Sequence, residues 1–426
     1  MLHISRHGGN ATINAYVVEK WILYLAVFTG FFGGAFLAVD LGPFTLFPYR
    51  VLLLLLWMLF LARIFLQEGK LNLSHIKVSP YLVFLAVWLG YAVLSTGWAA
   101  SKGLAITHVI FLLMGNSAIF FSVYYLSTLR DLRTLYWVWL LALGIQMVIG
   151  TWEATTGLHL PMSKYFGETK AVFAFRPTGT LGGPNSFASF LSFGVFFILA
   201  FLRHMNKGIF KKILVGGILA LSVYLIIMTR SRGNYLAVLL SLSFLSIFML
   251  KVRQTLKVTM VVGLALLLLI LVLPQQTHRV WVTAVTEFES LFNPIELGQG
   301  SIGIRLALAE DSITSAIKTL GFGMGAGNAG YPHNWWLEIL ASYGIWIFAG
   351  YVIFYSALVL ELYKIYKKLV DENEKMICEG LLLSLIALFF VSFSPSSIMT
   401  FKPQWFLFAF ALAFLNYYRL NRGGYS

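Results

Sequence analysis

Twelve nearly unbroken apolar runs dominate the chain, at about 21–39, 46–66, 80–98, 105–127, 133–152, 185–202, 213–229, 234–250, 258–274, 334–362, 376–396 and 404–418. Most match the roughly 20 residues an α-helix needs to cross a hydrocarbon layer about 30 Å thick. A water-soluble surface normally needs about a quarter of all residues to be charged. Here only 11% are charged, against 59% hydrophobic. In lipid every backbone N–H and C=O must find its partner inside the protein, so each run is expected to be helical. The sequence therefore predicts an all-α integral membrane protein of about 12 transmembrane helices, with residues 1–426 forming a single polytopic domain. This excludes a cytoplasmic enzyme, a secreted domain, a collagen and a disordered chain, but not an enzyme acting on lipid-borne substrates. The first 20 residues are polar and lack a short apolar core with a small-residue cleavage site, so the first run is expected to remain as an anchor.

The formal charge of +14, from 31 basic and 17 acidic residues, would suit a nucleic-acid binder. Membrane sidedness accounts for most of it instead. Placing both termini in the cytoplasm puts 20 of the 31 Lys and Arg on the inside, whereas the opposite orientation puts 11 there. Positive charge is retained on the cytoplasmic side, so the N-in/C-in arrangement is expected, with membrane lipids rather than nucleic acid as the surroundings. Two outer connections are then long, 153–184 and 275–333, the latter between helices 9 and 10. In the latter, Trp281, Val285, Phe288 and Phe292 fall at helical spacing opposite Thr283, Glu287 and Ser290, as in a helix lying on the membrane surface. A second helix is expected from about Ile302 to Leu320.

The informative cations are those left outside: Arg50, Lys102, Lys164, Lys170, Arg176, Arg230, Arg232, Arg279, Arg305, Lys318 and Lys402. Arg230 and Arg232 lie in Thr229-Arg230-Ser231-Arg232-Gly233-Asn234, a hairpin between two apolar runs. A guanidinium at the bilayer centre costs on the order of 2.5–3.5 kcal/mol on insertion scales, so the pair belongs at the outer interface. There it either snorkels to lipid phosphates or clamps a diphosphate, whose oxygens match the arginine fork. Arg176 opens the shaped loop Arg176-Pro177-Thr178-Gly179-Thr180-Leu181-Gly182-Gly183-Pro184-Asn185 and is either a solvated loop cation or an anion ligand. Arg305 has Glu310 and Asp311 nearby on its helix, so a local ion pair competes with a functional reading.

The segment Gly321-Phe322-Gly323-Met324-Gly325-Ala326-Gly327-Asn328-Ala329-Gly330-Tyr331-Pro332-His333-Asn334 has a phosphate-loop look, yet no Gly-Lys-Ser/Thr follows it, so that signal alone is weak. His333 would sit at the positive end of the helix that follows, which favours a neutral ring. A neutral imidazole suits a general base for a hydroxyl, and a capping or packing role is its plain alternative. The single Cys378 excludes an intrachain disulfide and a cysteine zinc cluster. The eight histidines lack metal-ligand spacing, and no Asp-x-Asp stands ready for the cation of a nucleotide sugar; Glu287-Phe288-Glu289 is better read as an exposed helix face. No metal or cofactor is expected. Glu338 and Glu379 are the chief acidic residues within the runs and read as unpaired, which gives little support to a proton-coupled carrier.

Three patches together resemble the O-antigen ligases and related O-antigen polymerases, membrane glycosyltransferases of the C type. Arg232-Gly233-Asn234-Tyr235-Leu236 matches the family's Arg-x3-Leu pattern. His333-Asn334, nine further residues and Gly344 match its His-[Asn/Ser/Gln]-x9-Gly signature, although Ile347 stands where that signature ends in Gly, Thr or Tyr. The loop from Arg176 to Pro184-Asn185 is similar to the element before the family's sixth span. The resemblance implies a donor glycan carried on undecaprenyl diphosphate at the periplasmic face of a bacterial inner membrane. It implies that Arg232, with Arg230 and with Arg305 or Arg176, holds the diphosphate. His333 would deprotonate or orient the acceptor hydroxyl, which attacks the anomeric carbon with inversion. Asn334, Asn185, Asn234, Tyr235 and Gly344 would support these groups, and guanidinium groups would take the place of a metal. The acceptor is a lipid A-core in the ligase reading, another lipid-linked repeat in the polymerase reading, and a surface-layer glycoprotein or cell-wall component in a third. A flippase for lipid-linked sugars is the competing class.

Overall fold

The computed structural model describes residues 9–41, 44–66, 73–204, 208–250, 301–330, 333–394, 397 and 399–422, with single helical positions between 256 and 285. Side chains are described over the same residues apart from 9–14, 41, 44, 171–172, 301–306 and 422. The chain runs α1 (Gly9–Gly30), a small hairpin β1 (Val39–Leu41) and β2 (Phe44–Leu46), α2 (Pro48–Leu66), α3 (Ser79–Ser95), α4 (Lys102–Tyr125) and α5 (Leu129–Thr156). It continues with the single turn α6 (Ala171–Ala174), α7 (Pro184–His204), α8 (Ile209–Met228) and α9 (Arg232–Phe244), which is prolonged by a π-helical turn Leu245–Met249. Then come α10 (Ser301–Lys318), α11 (Trp335–Lys368), α12 (Glu372–Val391) and α13 (Lys402–Arg422).

Each apolar run falls on one of these helices except 258–274, which lies almost wholly outside the described residues. Among the described residues, seven helices are long and apolar enough to cross a membrane. The molecule is thus an all-α, multi-pass membrane protein with one short hairpin. The expected surface helix around Trp281–Phe292 also lies largely outside the described residues, whereas the helix expected near Ile302–Leu320 is α10.

Two elements depart from the apolar pattern for identifiable reasons. The first run was expected to reach residue 39, but α1 ends at Gly30. Gly33 takes φ 82°, and a Cβ there would fall 2.5 Å from the Thr180 carbonyl oxygen, so the chain turns out of the helix against that loop. It then pairs Val39 with Leu46, Asp40 with Thr45 and Leu41 with Phe44 in antiparallel register. The second departure is α11, whose long run is not one straight helix. Gly344, with φ 78° and ψ −178°, breaks it into Trp335–Tyr343 and Ile345–Lys368.

α7 is the most enclosed span, packed against α8 and α12, and Phe187, Phe190, Phe193, Phe196 and Phe197 on it are all buried. The two ends of the bundle differ in charge pairing. At one end cations meet carboxylates across helices: Lys20 with Asp131 at 2.8 Å, Arg63 with Glu19 at 2.9 Å and Arg419 with Glu361 at 2.6 Å. Arg203 also pairs there with Glu379, which is bonded in addition by Tyr366 at 2.8 Å and by His204 at 3.1 Å. The reading of Glu379 as unpaired is therefore corrected. Its partner lies on another helix, 176 positions back in the sequence, where no local pattern reveals it. Asn185, Arg230, Arg232, Asn234, Tyr235, His333 and Asn334, at the starts of α7, α9 and α11, lie at the opposite end.

Candidate active site

Arg230 and Arg232 occupy the tight turn between α8 and α9. The Arg230 N–H donates to the Ile227 carbonyl at 3.0 Å, and Arg230 adopts a left-handed backbone with φ 55°. His333 does the same, with φ 51°. Only four non-glycine residues do so among those described, and two of them are sequence-predicted site residues. Such a conformation costs on the order of 1–3 kcal/mol and persists only where the surroundings over-determine it.

Those surroundings are visible beneath the arginine turn. Asn234 is fully buried. Its side-chain oxygen accepts from Ser192 Oγ at 3.0 Å, and its amide donates to Ser231 Oγ at 2.9 Å and to Ser394 Oγ at 3.3 Å. Ser231, set between the two arginines, has its hydroxyl 2.8 Å from that of Ser394. Asn185 in the first turn of α7 donates to the Ser394 carbonyl at 3.1 Å. The Tyr235 hydroxyl donates to the Ile227 carbonyl at 2.7 Å and ties α9 back to α8. Asn185, Asn234 and Tyr235 thus brace the arginine turn.

His333 stands one residue before the N-cap of α11. The cap is Asn334, whose side-chain oxygen accepts from Trp336 N at 3.0 Å and Leu337 N at 3.4 Å, occupying two of the donors a helix start leaves over. Trp335 N then donates to the Ser392 carbonyl at 3.1 Å, and Trp336 Nε1 to Ser392 Oγ at 2.7 Å. A turn farther on, the buried Glu338 accepts from Ser397 Oγ at 2.6 Å. The connection from α12 to α13, running from Ser392 to Phe401, therefore grips the histidine helix through Ser392 and the arginine turn through Ser394. Sequence reasoning missed this connection; its only signal was the concentration of serines in Ser392-Phe393-Ser394-Pro395-Ser396-Ser397.

The glycine-rich segment has a structural task rather than a phosphate-loop one. Because Gly344 breaks α11, the carbonyls of Ala341 and Ser342 are released and accept from Met324 N at 2.8 Å and Gly325 N at 3.1 Å, while Ile345 N donates to the Gly321 carbonyl at 2.9 Å. On its other side the segment is held by Tyr91 on Phe322 O at 2.6 Å, Trp98 on Gly323 O at 3.0 Å and Ser95 Oγ, which accepts from Ala326 N at 3.1 Å. Asn328 Oδ1 accepts from Ser101 N at 2.7 Å. A Cβ on Gly344 would come 2.0 Å from the Gly321 oxygen, so the signature glycine is the point where this stitch passes α11.

Arg176 lies in the loop that leads into α7. Its guanidinium lies over the Phe173 ring at 5.2 Å, a cation–π arrangement. The loop it opens is fixed from below by Glu153, a fully buried carboxylate that accepts from Thr178 N at 2.6 Å, Gly179 N at 2.7 Å and Thr178 Oγ1 at 3.0 Å, with His159 Nδ1 at 3.0 Å. Arg305 falls within α10, and its side chain lies outside the described residues. Among the described residues no group of three His, Cys, Asp or Glu is arranged to hold a metal ion.

Residues 217–352 match the family model described as O-antigen ligase. That stretch contains the arginine turn, His333 and the break at Gly344. Over that stretch the chain is similar to the O-antigen ligases. Over 419 residues it is also 27% identical to the teichuronic acid biosynthesis protein TuaE of Bacillus subtilis (strain 168), an alignment covering 94% of this chain and 85% of TuaE. The similarity thus extends beyond the family-matched stretch to both the α7 loop and the α12–α13 connection.

Proposed function

We propose that this O-antigen ligase-like chain is a membrane glycosyltransferase that moves a glycan from undecaprenyl diphosphate to an acceptor hydroxyl during assembly of a cell-surface polysaccharide. In this reading the bundle has twelve spans with both termini cytoplasmic, the 153–184 and 275–333 connections face the periplasm or cell exterior, and the membrane is the bacterial inner membrane. The observation that carries it is the joint tethering of the Arg230–Arg232 turn and the His333 helix to the single connection Ser392–Ser397. In this reading, that tethering holds an anion clamp and a proton acceptor, distant in sequence, at one end of the bundle.

The chemistry follows from that pairing. Arg232 and Arg230 hold the diphosphate, with Arg176 and Arg305 as further cations for the same leaving group. The imidazole of His333 takes the proton of the acceptor hydroxyl as its oxygen bonds to the anomeric carbon from the face opposite the diphosphate. The bond from that carbon to the diphosphate oxygen breaks, and its electron pair leaves on undecaprenyl diphosphate, where guanidinium groups stabilise the developing charge. The configuration inverts. Asn334, Asn185, Asn234, Tyr235 and Gly344 keep the two halves of the site in register.

Three kinds of acceptor are compatible with this chemistry. A ligase delivers the finished chain to an acceptor such as lipid A-core. A polymerase delivers it to another lipid-linked repeat, and a third kind of transferase delivers it to a surface-layer glycoprotein or cell-wall component; the similarity to a teichuronic acid biosynthesis protein supports assembly of a cell-surface polysaccharide in each case. Purified protein in nanodiscs, given undecaprenyl-diphosphate glycan and each acceptor in turn, separates them by product length. Release of undecaprenyl diphosphate supports transfer, whereas glycolipid that crosses the bilayer intact would make the protein a flippase. Turnover unaltered in His333→Ala would sink the mechanism.

A further inference from the structure

Outside the arginine turn, the same end of the bundle encloses a cavity of about 680 Å³ between the β1–β2 hairpin, the starts of α2, α4, α7 and α13, and the loop at Thr180–Gly182. That volume lies within the range of about 300–1,000 Å³ typical of small-ligand sites. Two of the outside cations noted in the sequence, Arg50 and Lys402, line it. They share one aromatic ring: the Arg50 guanidinium lies 4.8 Å and the Lys402 ammonium 4.6 Å from the centre of Phe47. Arg50 Nη1 donates to the Thr45 carbonyl at 2.6 Å, while its Nε is buried with no hydrogen-bond partner. Among the described residues neither cation has a carboxylate within the 4.0 Å of an ion pair. The one acidic side chain on the wall, Asp40, is turned to Thr45 Oγ1 at 2.7 Å.

Two like charges gathered on one ring in a partly enclosed space repel each other, and burial strengthens the repulsion. The arrangement calls for an anion between them. The remaining wall identifies what carries that anion. Phe47, Phe111 and Phe401 offer flat apolar faces. Thr107, Ser186 and Thr400 offer hydroxyls, and a hydroxyl that donates to its own helix, as Thr107 Oγ1 does to Gly103 O at 2.9 Å, still has lone pairs to accept with. Rings for C–H faces, hydroxyls for hydroxyls and two cations for one acidic group are the complement of an acidic sugar.

We propose that this cavity is a sugar subsite that holds the carboxylate of a hexuronate-type residue between Arg50 and Lys402. It deepens the glycosyl-transfer reading and rests on it for the source of that residue, which is the glycan in transit. Ser397 joins the two sites: it lines the cavity and donates to Glu338 on the histidine helix. A sugar seated at Arg50 and Lys402 is therefore tied through the cavity wall to the helix that follows His333, and the cavity lining does not include the arginine turn.

The test is binding of a tetragalacturonate oligosaccharide to full-length protein in nanodiscs, with no donor lipid present, so that it reads the cavity independently of turnover. The acid oligosaccharide should bind wild type. Its carboxyl-reduced, neutral counterpart should bind roughly 10- to 100-fold more weakly, the loss expected for one charge-assisted contact. Lys402→Met and Arg50→Gln should show a loss of similar size, Lys402→Arg should retain binding, and His333→Ala should bind the oligosaccharide while failing to transfer. Equal binding of the acid and neutral forms by wild type overturns the proposal whatever the variants do. Displacement of the oligosaccharide by undecaprenyl diphosphate also overturns it, making the cavity a phosphate site. If His333→Ala transfers normally, the catalytic reading fails and the cavity result stands separately.

Discussion

The hydroxyls of Ser231 and Ser394 lie 2.8 Å apart although 163 residues separate them in sequence. Through this contact the arginine turn takes its position from the α12–α13 connection rather than from α8 and α9 alone. Ser394→Ala removes the hydroxyl that Ser231 and Asn234 share. Each such bond contributes about 0.5–1.5 kcal/mol net, so transfer should fall by roughly tenfold. The loss should appear mainly as weaker use of the lipid-diphosphate donor, with the melting temperature in detergent little changed. An unaltered donor dependence would mean that the turn is positioned without Ser394.

His333 and Asn334 are adjacent, and the structure gives them separable tasks. His333→Ala should lower transfer by about 10²–10⁴-fold, the usual worth of a positioned general base, at near wild-type stability. Asn334→Ala removes the cap of α11 and should cost about 1 kcal/mol of stability, with a smaller loss of rate. Thermal unfolding and initial rates on both variants distinguish them. If the two variants lose the same amount of each, the division of roles is wrong.

Gly344→Ala places a Cβ 2.0 Å from the Gly321 oxygen at a residue with φ 78°. Backbone strain alone contributes about 1–3 kcal/mol, and the clash must push the glycine-rich segment off α11. Greatly reduced yield of folded protein is expected, together with new protease sensitivity between 321 and 330. A Gly344→Ala protein as stable as wild type would show that α11 tolerates a straight path here.

Glu153 accepts three hydrogen bonds from Thr178 and Gly179 in a buried setting, with His159 Nδ1 at 3.0 Å. Glu153→Ala leaves those N–H groups buried without an acceptor, at about 1–3 kcal/mol for each unsatisfied group. The α7 loop should loosen, seen as faster amide exchange at Thr178–Thr180 and a lower melting temperature. Exchange at the wild-type rate would mean that the loop is held instead by other bonds, such as that from Thr180 N to Gln146 Oε1 at 3.1 Å.

The membrane class was legible because the bilayer fixes helix length, so every run on a described helix announced itself. Arg230, Arg232 and His333 stood out as candidates because cations and imidazoles at the ends of spans need a reason. The residues that join them did not. Ser392, Ser394 and Ser397 look like ordinary turn residues until the fold brings Ser231, Trp336 and Glu338 to them. Gly344 was noticed as part of a motif, but apolar periodicity runs straight through it and hides the break. Glu379 seemed solitary because Arg203 reaches it from another helix. Arg50 and Lys402 were only two entries on a roster of outside cations, since nothing local says that one phenylalanine ring gathers both.

The serine connection from Ser392 to Ser397 also bears on how such a protein can diversify. Because it anchors the arginine turn and the histidine helix together, drift in its sequence would disturb both halves of the reaction at once. In the proposed reading the hairpin at Val39–Leu46, whose described side-chain hydrogen bonds stay between Asp40, Thr45 and Arg50, can change shape with the glycan carried, whereas Thr180 is buried and bonded to Gln146. Exchanging that hairpin between relatives is therefore the graft with the best prospect of moving glycan preference from one chain to another while leaving turnover in place.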